Sequence, residues 1–337
     1  MDAKDILAAL QDEAGQENLF RQADEVRRRY CGDVAQLRGV VHFSNCCCRD
    51  DLYCGLRKSN TDIKRFRMTG DQIVETAMAI AEAGLGTVVL QSGEDYHYTR
   101  ELLCSVIRRI VDNADVAVTL SLGERPDDDL RAFRDAGASR YLMKHETMNP
   151  DLYARMRPGL RLTDRLRTIE TLRSLGYQTG VGNVVGLPGQ TDEDLAADIA
   201  FFQDFQPDMV NIGPFIPHAD TPLRGEAVGD MDRMLRVFAL TRIVTGNTHL
   251  AAANTVATLA PEDGQYRAFV QGGANVIMPN CNPFLKSKTD KIEYEFQITT
   301  KKRYVSIAEA KDVLRRAGRE TAAGKGDSLK MQGGTCD

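Results

Sequence analysis

Residues 176–205 read GYQTGVGNVVGLPGQTDEDLAADIAFFQDF. A β-branched run, Thr179–Val185, leads into a Gly- and Pro-rich turn, Gly186–Gln190. Asp192–Phe205 then places its apolar residues at helical spacing. Thr191 with Asp194 three positions on resembles a capping box, with Asp in the place of Glu or Gln. Gly176 follows the helical stretch Thr163–Leu175, as a left-handed C-terminal cap requires. Gly186–Gly189 lacks the Gly-Lys-Ser/Thr ending of a phosphate loop, so it reads as a strand-to-helix turn.

The same unit recurs in both directions along the chain. Candidate strands are Val40–Phe43, Thr87–Gln91, Val116–Ser121, Arg140–Lys144, Thr179–Val185, Met209–Gly213, Leu250–Ala253 and Val276–Met278. Helical patterns separate them at Asp71–Gly84, Tyr98–Asn113, Asp127–Ala136, Thr163–Leu175, Asp192–Phe205, Met231–Thr245 and Glu262–Val270. Gly84, Gly137 and Gly273 take the same post-helix place as Gly176. Eight strands alternating with helices predict an α/β fold, a TIM-type (βα)8 barrel with a helical N-terminal extension and a C-terminal appendage. The expected boundaries are 1–39 for the extension, 40–285 for the barrel and 286–337 for the appendage. The appendage reads as a hairpin, a last helix and a frayed tail over 318–337.

The 337 residues carry 43 Lys+Arg against 48 Asp+Glu, a net charge of −5. That balance offers no surplus cation for phosphates and argues against a nucleic-acid binder. No apolar run reaches the ~18 residues of a membrane span. Met1–Arg29 has no signal-peptide core, so a cytoplasmic location is expected. Cysteine is the outlier. Of eight, four crowd together at Cys46, Cys47, Cys48 and Cys54, while Cys31, Cys104, Cys281 and Cys336 are scattered. Clustered thiols in a large cytoplasmic chain point to metal or redox chemistry rather than disulfides.

In a βα barrel, function gathers at the C-terminal ends of the strands. The corresponding segments here are Ser44–Lys58, Gln91–Asp95, Ser121–Glu124, Lys144–Thr147, Gly186–Gln190 and Pro214–Pro222. They are polar and unlike one another, as a site assembled from several loops demands. His42, His97, His145, His218 and His249 show no metal-ligand spacing. Of these, His145 is set apart by its place in the strand end Lys144–Thr147. The basic runs Arg27–Arg29 and Lys64–Arg67 read as solvated faces, the second also as a guide for an acidic electron donor.

The first of these loops, Phe43-Ser44-Asn45-Cys46-Cys47-Cys48-Arg49-Asp50-Asp51-Leu52-Tyr53-Cys54-Gly55-Leu56-Arg57, resembles the cluster loop of radical S-adenosylmethionine (SAM) enzymes, Cys-x3-Cys-x2-Cys. Further segments resemble one branch, the FeFe-hydrogenase maturases of the HydE type. They include Gln91–Asp95, Thr119–Glu124, His145–Thr147, Val185–Thr191, Gly213–His218, Asp220–Leu223 and Gly273–Asn280, in order across residues 38–285. The resemblance implies a 4Fe–4S cluster held by three thiolates, its fourth iron chelating SAM. It implies an enzyme that receives an electron from reduced flavodoxin or ferredoxin and cleaves SAM to a 5′-deoxyadenosyl radical. The radical would act on a small-molecule or iron-complex substrate, with other hydrogenase maturation proteins as partners.

Carried onto this sequence, the first and last ligands fall on Cys47 and Cys54, but the middle one falls on Asp51. Three accounts stand side by side. Asp51 ligates iron through oxygen, a harder donor than thiolate. Cys46 or Cys48 supplies the thiolate along a changed loop path. Or the chain holds no stable cluster and is a SAM-binding barrel. The resemblance also implies SAM contacts from Tyr53, Gln91, Ser92, Gly93, Glu94, Glu146 and Arg165. It implies substrate contacts from Thr119, Ser121, Lys144, Asn254 and Thr255. Lys144 replaces an expected Arg and so loses the planar fork. Asn254 stands where paired threonines are expected. Both leave room for a radical SAM paralogue with a different small-molecule substrate.

Overall fold

The computed structural model describes residues 1–282, 296–300 and 303–332. Two helices lead the chain, α1 (Ala3–Gln11) and α2 (Gln16–Cys31), followed by β1 (Val34–Leu37) and β2 (Gly39–Ser44). Next come α3 (Gly70–Glu82), β3 (Thr87–Ser92), α4 (Arg100–Asn113), β4 (Ala117–Ser121), α5 (Asp127–Asp135) and β5 (Ala138–Leu142). The middle of the chain forms α6 (Pro150–Met156), α7 (Leu162–Ser174), β6 (Gln178–Val181), β7 (Val184–Val185) and α8 (Asp192–Phe205). After it come β8 (Met209–Asn211), β9 (Gly213–Pro214), α9 (Met231–Thr245), β10 (His249–Ala252), α10 (Asn254–Leu259) and α11 (Gly264–Val270). The last elements are β11 (Val276–Ile277), α12 (Ile307–Arg316), β12 (Glu320–Thr321) and a 3-10 turn at Leu329–Gln332.

The main sheet runs β12-β1-β11-β10-β8-β6-β5-β4-β3-β2. It is parallel at every pairing. Its ends meet. β1 and β2 are halves of one run interrupted at Arg38, and Val40 is bridged in parallel to Asn280, just past β11. The Val40 N–H donates to the Pro279 carbonyl and the Cys281 N–H donates to the Val40 carbonyl, both at 2.9 Å. Eight strand positions therefore surround one axis, as the alternation in the sequence predicts for a TIM-type fold.

Local chemistry sets the element ends. Thr191 and Asp194 do form a capping box, as do Thr69 with Gln72 and Ser306 with Glu309. Each such cap is worth about 1 kcal/mol. Gly84, Gly137, Gly176 and Gly273 all have positive φ.

Alternation along the strands divides the core. Val41, Phe43, Val88, Leu90, Val118 and Leu120 belong to the large cluster packed beneath the helices. Val40, Val89, Ala251, Ala253, Val276 and Met278 form a separate small cluster. Its members are mostly short side chains, which leaves space toward the strand ends.

Two expected boundaries move. The helical extension ends at Cys31, and Val34–Leu37 already belongs to the sheet. The hairpin expected from residue 286 lies largely outside the described residues. The tail is not frayed over 318–330: β12 pairs with β1, and residues 324–330 cover the N-terminal end of the barrel. Arg140 donates to the Lys325 carbonyl (2.7 Å) and to Asp327 (2.8 Å), Arg38 donates to the Gly326 carbonyl (3.2 Å), and His249 Nε2 meets the Asp327 carbonyl at 3.0 Å. Burial and the neighbouring Arg140 push the Arg38 pKa down to about 9, and burial with Arg38 pushes His249 to about 3. The tail is held by its backbone carbonyls and the polar side chains of Asp327 and Ser328, not by apolar side chains. Among the described residues no helix is long and apolar enough to cross a membrane.

Candidate active site

The loop between β2 and α3 crosses the C-terminal mouth of the barrel, pinned at several points. The Cys48 N–H donates to the Glu94 carbonyl (2.9 Å), Leu52 N–H to Met156 (2.9 Å) and Gly55 N–H to Ile298 (3.0 Å). Asn45 accepts the Phe66 N–H through its side-chain oxygen and donates to the Lys64 carbonyl. Arg65 gathers four loop carbonyls, those of Asn45, Leu56, Arg57 and Asn60, at 2.6–3.0 Å. Arg67 pairs with Asp95 at 2.7 Å. In the run Lys64–Arg67, Lys64 and Arg67 are exposed as a solvated face predicts, while Arg65 and the guanidinium of Arg67 reach internal partners.

Two adjoining cavities lie under this loop. One, of about 180 Å³, is lined by Cys47, Asp51, Cys54, Glu94, Arg157 and Arg165, among others. The other, of about 230 Å³, is lined by His42, Tyr53, Asn211, Asn254, Thr255 and Met278, among others. Asp51, Cys54, Gln91, Lys144, Glu146 and Asn211 belong to both walls.

Cys47, Asp51 and Cys54 therefore face one space. Cys46 and Cys48 line neither cavity; the Cys46 thiol points toward the Phe66 carbonyl (3.9 Å) and Cys48 is exposed. Gly93 makes room for the loop: a Cβ there would stand 2.3 Å from the Cys46 carbonyl oxygen and 2.8 Å from Cys47 Cβ. Burial pushes the Cys47 thiol up to about 11, with Asp51 among the groups adding to it. Burial, then Asp51 and Cys47, drive Cys54 further up. Among the described residues no three His, Cys, Asp or Glu side chains are placed to hold a single metal ion. A cluster asks for less, since each donor takes a different iron. Two thiols and a carboxylate around one cradle fit an iron–sulfur cluster with one oxygen donor.

The carboxylate has an internal partner. Asp51 Oδ1 is 3.0 Å from Arg157 Nε, and Arg157 is 3% exposed. Burial opposes the Arg157 charge, but Asp51 and Tyr153 outweigh it and push its pKa up. Further ion pairs continue the network. Arg49 meets Glu94 (2.5 Å) and Glu124 (3.0 Å), and Arg165 meets Glu124 (3.3 Å) and Glu94 (3.8 Å). Lys144 lies 3.3 Å from Glu146. Burial would raise the Glu146 pKa, yet Lys144, Arg157 and Arg165 hold it below the usual carboxylate range. Facing carboxylates and guanidinium forks suit a zwitterion that presents an ammonium and a carboxylate together.

The expected SAM contacts are mostly brought together. Gln91, Ser92, Gly93, Glu94, Glu146 and Arg165 all line the cavity that holds Cys47. Tyr53 lines the second cavity instead, its ring edge-on to Phe215 at 6.2 Å. Of the expected substrate contacts, Lys144, Asn254 and Thr255 line the second cavity and Ser121 the first. Asn254 is tied down: it donates to the Met278 carbonyl (3.1 Å) and accepts the Val305 N–H (3.3 Å). Thr119 reaches neither cavity; two residues before Ser121 on β4, it sits a layer deeper, its hydroxyl buried without a hydrogen-bond partner. His145 also points away, with its ring against Phe201 and Phe202.

The sequence reading does not identify Arg49, Glu124, Arg157, His42 or Asn211 as site residues. Strand alternation could have found His42, two positions before Ser44 on the inward face of β2. Arg157, 106 positions from Asp51 along the chain, carries no local signal.

The family model of the radical SAM superfamily matches residues 41–202. The chain is similar to the [FeFe] hydrogenase maturase subunit HydE of Thermotoga maritima, 46% identical over 275 residues, covering 82% of this chain and 78% of that protein. It is also similar to 3-methylornithine synthase of Methanosarcina acetivorans, 26% identical over 80% of this chain and 81% of that one. Among solved structures, methylornithine synthase (PylB) superposes with a TM-score of 0.80 at 23% identity, covering 95% and 94% of the two chains. The maturase HydG of Carboxydothermus hydrogenoformans gives 0.80 at 21% identity, over 96% of this chain and 76% of that one. These two structural likenesses speak for the fold.

Proposed function

The chain belongs to the radical SAM superfamily and, within it, to the HydE family; from that premise we propose that it serves FeFe-hydrogenase maturation. Enzymes of this superfamily use a 4Fe–4S cluster and SAM. The bound cluster supplies the electron that cleaves SAM to methionine and a 5′-deoxyadenosyl radical. The single observation that carries the reading is convergence: Cys47, Asp51 and Cys54 share one cavity wall with Glu94, Glu146 and Arg165.

Cys47, Asp51 and Cys54 are the residues that would hold the cluster, with Arg157 beside Asp51. Glu94 and the strand-end carbonyls of Gln91–Gly93 receive the SAM ammonium, Arg165 its carboxylate and Glu146 its ribose hydroxyls. The adjoining cavity takes the substrate, a small molecule or an iron complex. Lys144 sits on the shared wall, and Asn254 and Thr255 lie in the second cavity. Enclosure under the loop keeps water and stray reactants away from a radical. A reduced flavodoxin or ferredoxin is the fitting electron donor, and the cytoplasm the fitting compartment.

Anaerobic reconstitution with iron and sulfide tests this. The expected result is about four irons per chain, a reduced-cluster EPR signal and 5′-deoxyadenosine release from SAM. Iron and sulfide at or below about one atom each, with no EPR signal, overturn the enzyme reading and leave a SAM-binding barrel. Release of 5′-deoxyadenosine with no response to a maturation substrate points to a paralogue, for which Lys144 and Asn254 are the relevant departures.

A further inference from the structure

Glu146 is held in a backbone conformation its side chain disfavours. Its φ is 72°, and the Thr147 N–H donates to the His145 carbonyl at 3.0 Å, closing a three-residue turn centred on Glu146. A γ-turn of this hand is rare and strained, and persists only where the surroundings impose it. The side chain lies on the wall shared by the two cavities.

Behind the turn stands Asp198 of α8, fully buried and lining neither cavity. Its Oδ1 accepts the Met148 N–H at 2.6 Å, and its Oδ2 accepts the Asn183 side-chain amide at 2.9 Å. His145 Nε2 lies 3.5 Å from the same Oδ1. Asn183 is bridged to Glu146 across the next strand position. There the Glu146 N–H donates to Gly182 (3.1 Å) and the Val184 N–H donates to Glu146 (2.8 Å). One carboxylate thus grips the chain just after Glu146 and the segment paired beside it. Burying a carboxylate is costly, and packing alone does not call for it.

We propose that Asp198 is a positioning residue that keeps Glu146 in its strained turn and so sets the affinity of the site for the ribose of SAM. The inference rests on the reading of Glu146 as the ribose contact.

The test is a double-mutant cycle on SAM affinity, measured by equilibrium dialysis with radiolabelled SAM on chains carried through the same reconstitution. Iron content and melting temperature are recorded alongside. Asp198→Asn keeps the volume but turns one acceptor into a donor, so one of the two ties is lost. Glu146→Gln and Asp198→Asn should each weaken SAM binding by about tenfold or more, with iron content unchanged. The double variant should bind no more weakly than Glu146→Gln alone, because Asp198 acts through Glu146. Wild-type affinity in Asp198→Asn overturns the proposal, as does an undiminished further loss in the Glu146→Gln background. Wild-type affinity in Glu146→Gln overturns the ribose reading itself, and that outcome involves no change at Asp198. Should Asp198→Asn not fold, Asn183→Ala runs the same cycle, leaving the Asp198 bond to Met148 in place.

Discussion

Replacing Asp51 by cysteine should move the iron-free and iron-loaded forms of this chain in opposite directions. Asp51 pairs with Arg157 at 3.0 Å, at side-chain exposures of 17% and 3%. Removing one partner of a fully buried pair costs about 3–5 kcal/mol, because the other charge is left behind. Here the loss is smaller. Arg157 keeps the Tyr153 hydroxyl at 2.9 Å, and Glu94 stands 4.0 Å away. About 2–3 kcal/mol is the expected cost. At about 2.1 cal/mol/K per residue, a chain of this length unfolds with an entropy of about 0.7 kcal/mol/K, so the melting temperature should fall by about 3–4 °C. After reconstitution the order reverses: a third thiolate suits iron better than a carboxylate engaged elsewhere, and bound metal stabilises the fold that binds it. The assay is a melting curve on each form, with iron retained against a chelator as the second readout. An iron-free Asp51→Cys chain that melts with or above the wild type refutes the ion-pair argument. A reconstituted variant that loses iron as fast as the wild type refutes Asp51 as the third ligand position.

Gly93→Ala should leave a folded chain that takes up less iron on reconstitution, because its Cβ would press on the Cys46 carbonyl at 2.3 Å; iron analysis reads this directly. Burial would raise the Asp95 pKa, but bonds from Arg67 and Ser44 win and hold it below the usual carboxylate range. A depressed folded pKa contributes stability that is present above the unfolded value of about 4 and is lost as pH falls through the folded value. Asp95→Asn should therefore melt lower at pH 7 and show a shallower loss of stability below about pH 4, which acid titration of melting temperature measures. A chain ending at Ala323 removes the carbonyl partners of Arg38, Arg140 and His249. It should melt lower or fail to accumulate as soluble protein, whereas a frayed tail could be removed without effect.

The strands and long helices are legible in the sequence because each carries its own period and punctuation. Asp192–Phe205 and Met231–Thr245 end where the pattern does. The short helices α6 and α10 span too few residues to display a period, although α10 presents Asn254 and Thr255. His145 marks the limit of reasoning by segment: the alternation that turns Lys144 and Glu146 to the cavity turns His145 out toward α8. The tail misleads for a different reason. Polar, Gly-rich composition marks disorder only when nothing nearby needs a carbonyl, and that need arises from Arg38 and Arg140, far back in the chain. Likewise Asp51 stands out against the loop pattern, while its partner Arg157 becomes visible only when the barrel closes.

The covered floor of the barrel also bears on the order of synthesis. Residues 324–330 are made after all eight strands, and a nascent chain folds from its N-terminal side. Until they arrive, the barrel has every wall but lacks some of the acceptors for the arginines at its base: Arg140 keeps Thr87 and Gln178 and loses Lys325 and Asp327. An interrupted chain would therefore carry a nearly complete sheet with charged groups exposed beneath it, a species open to proteolysis. Synthesis of residues 324–330 thus separates a finished barrel from one the cell can discard.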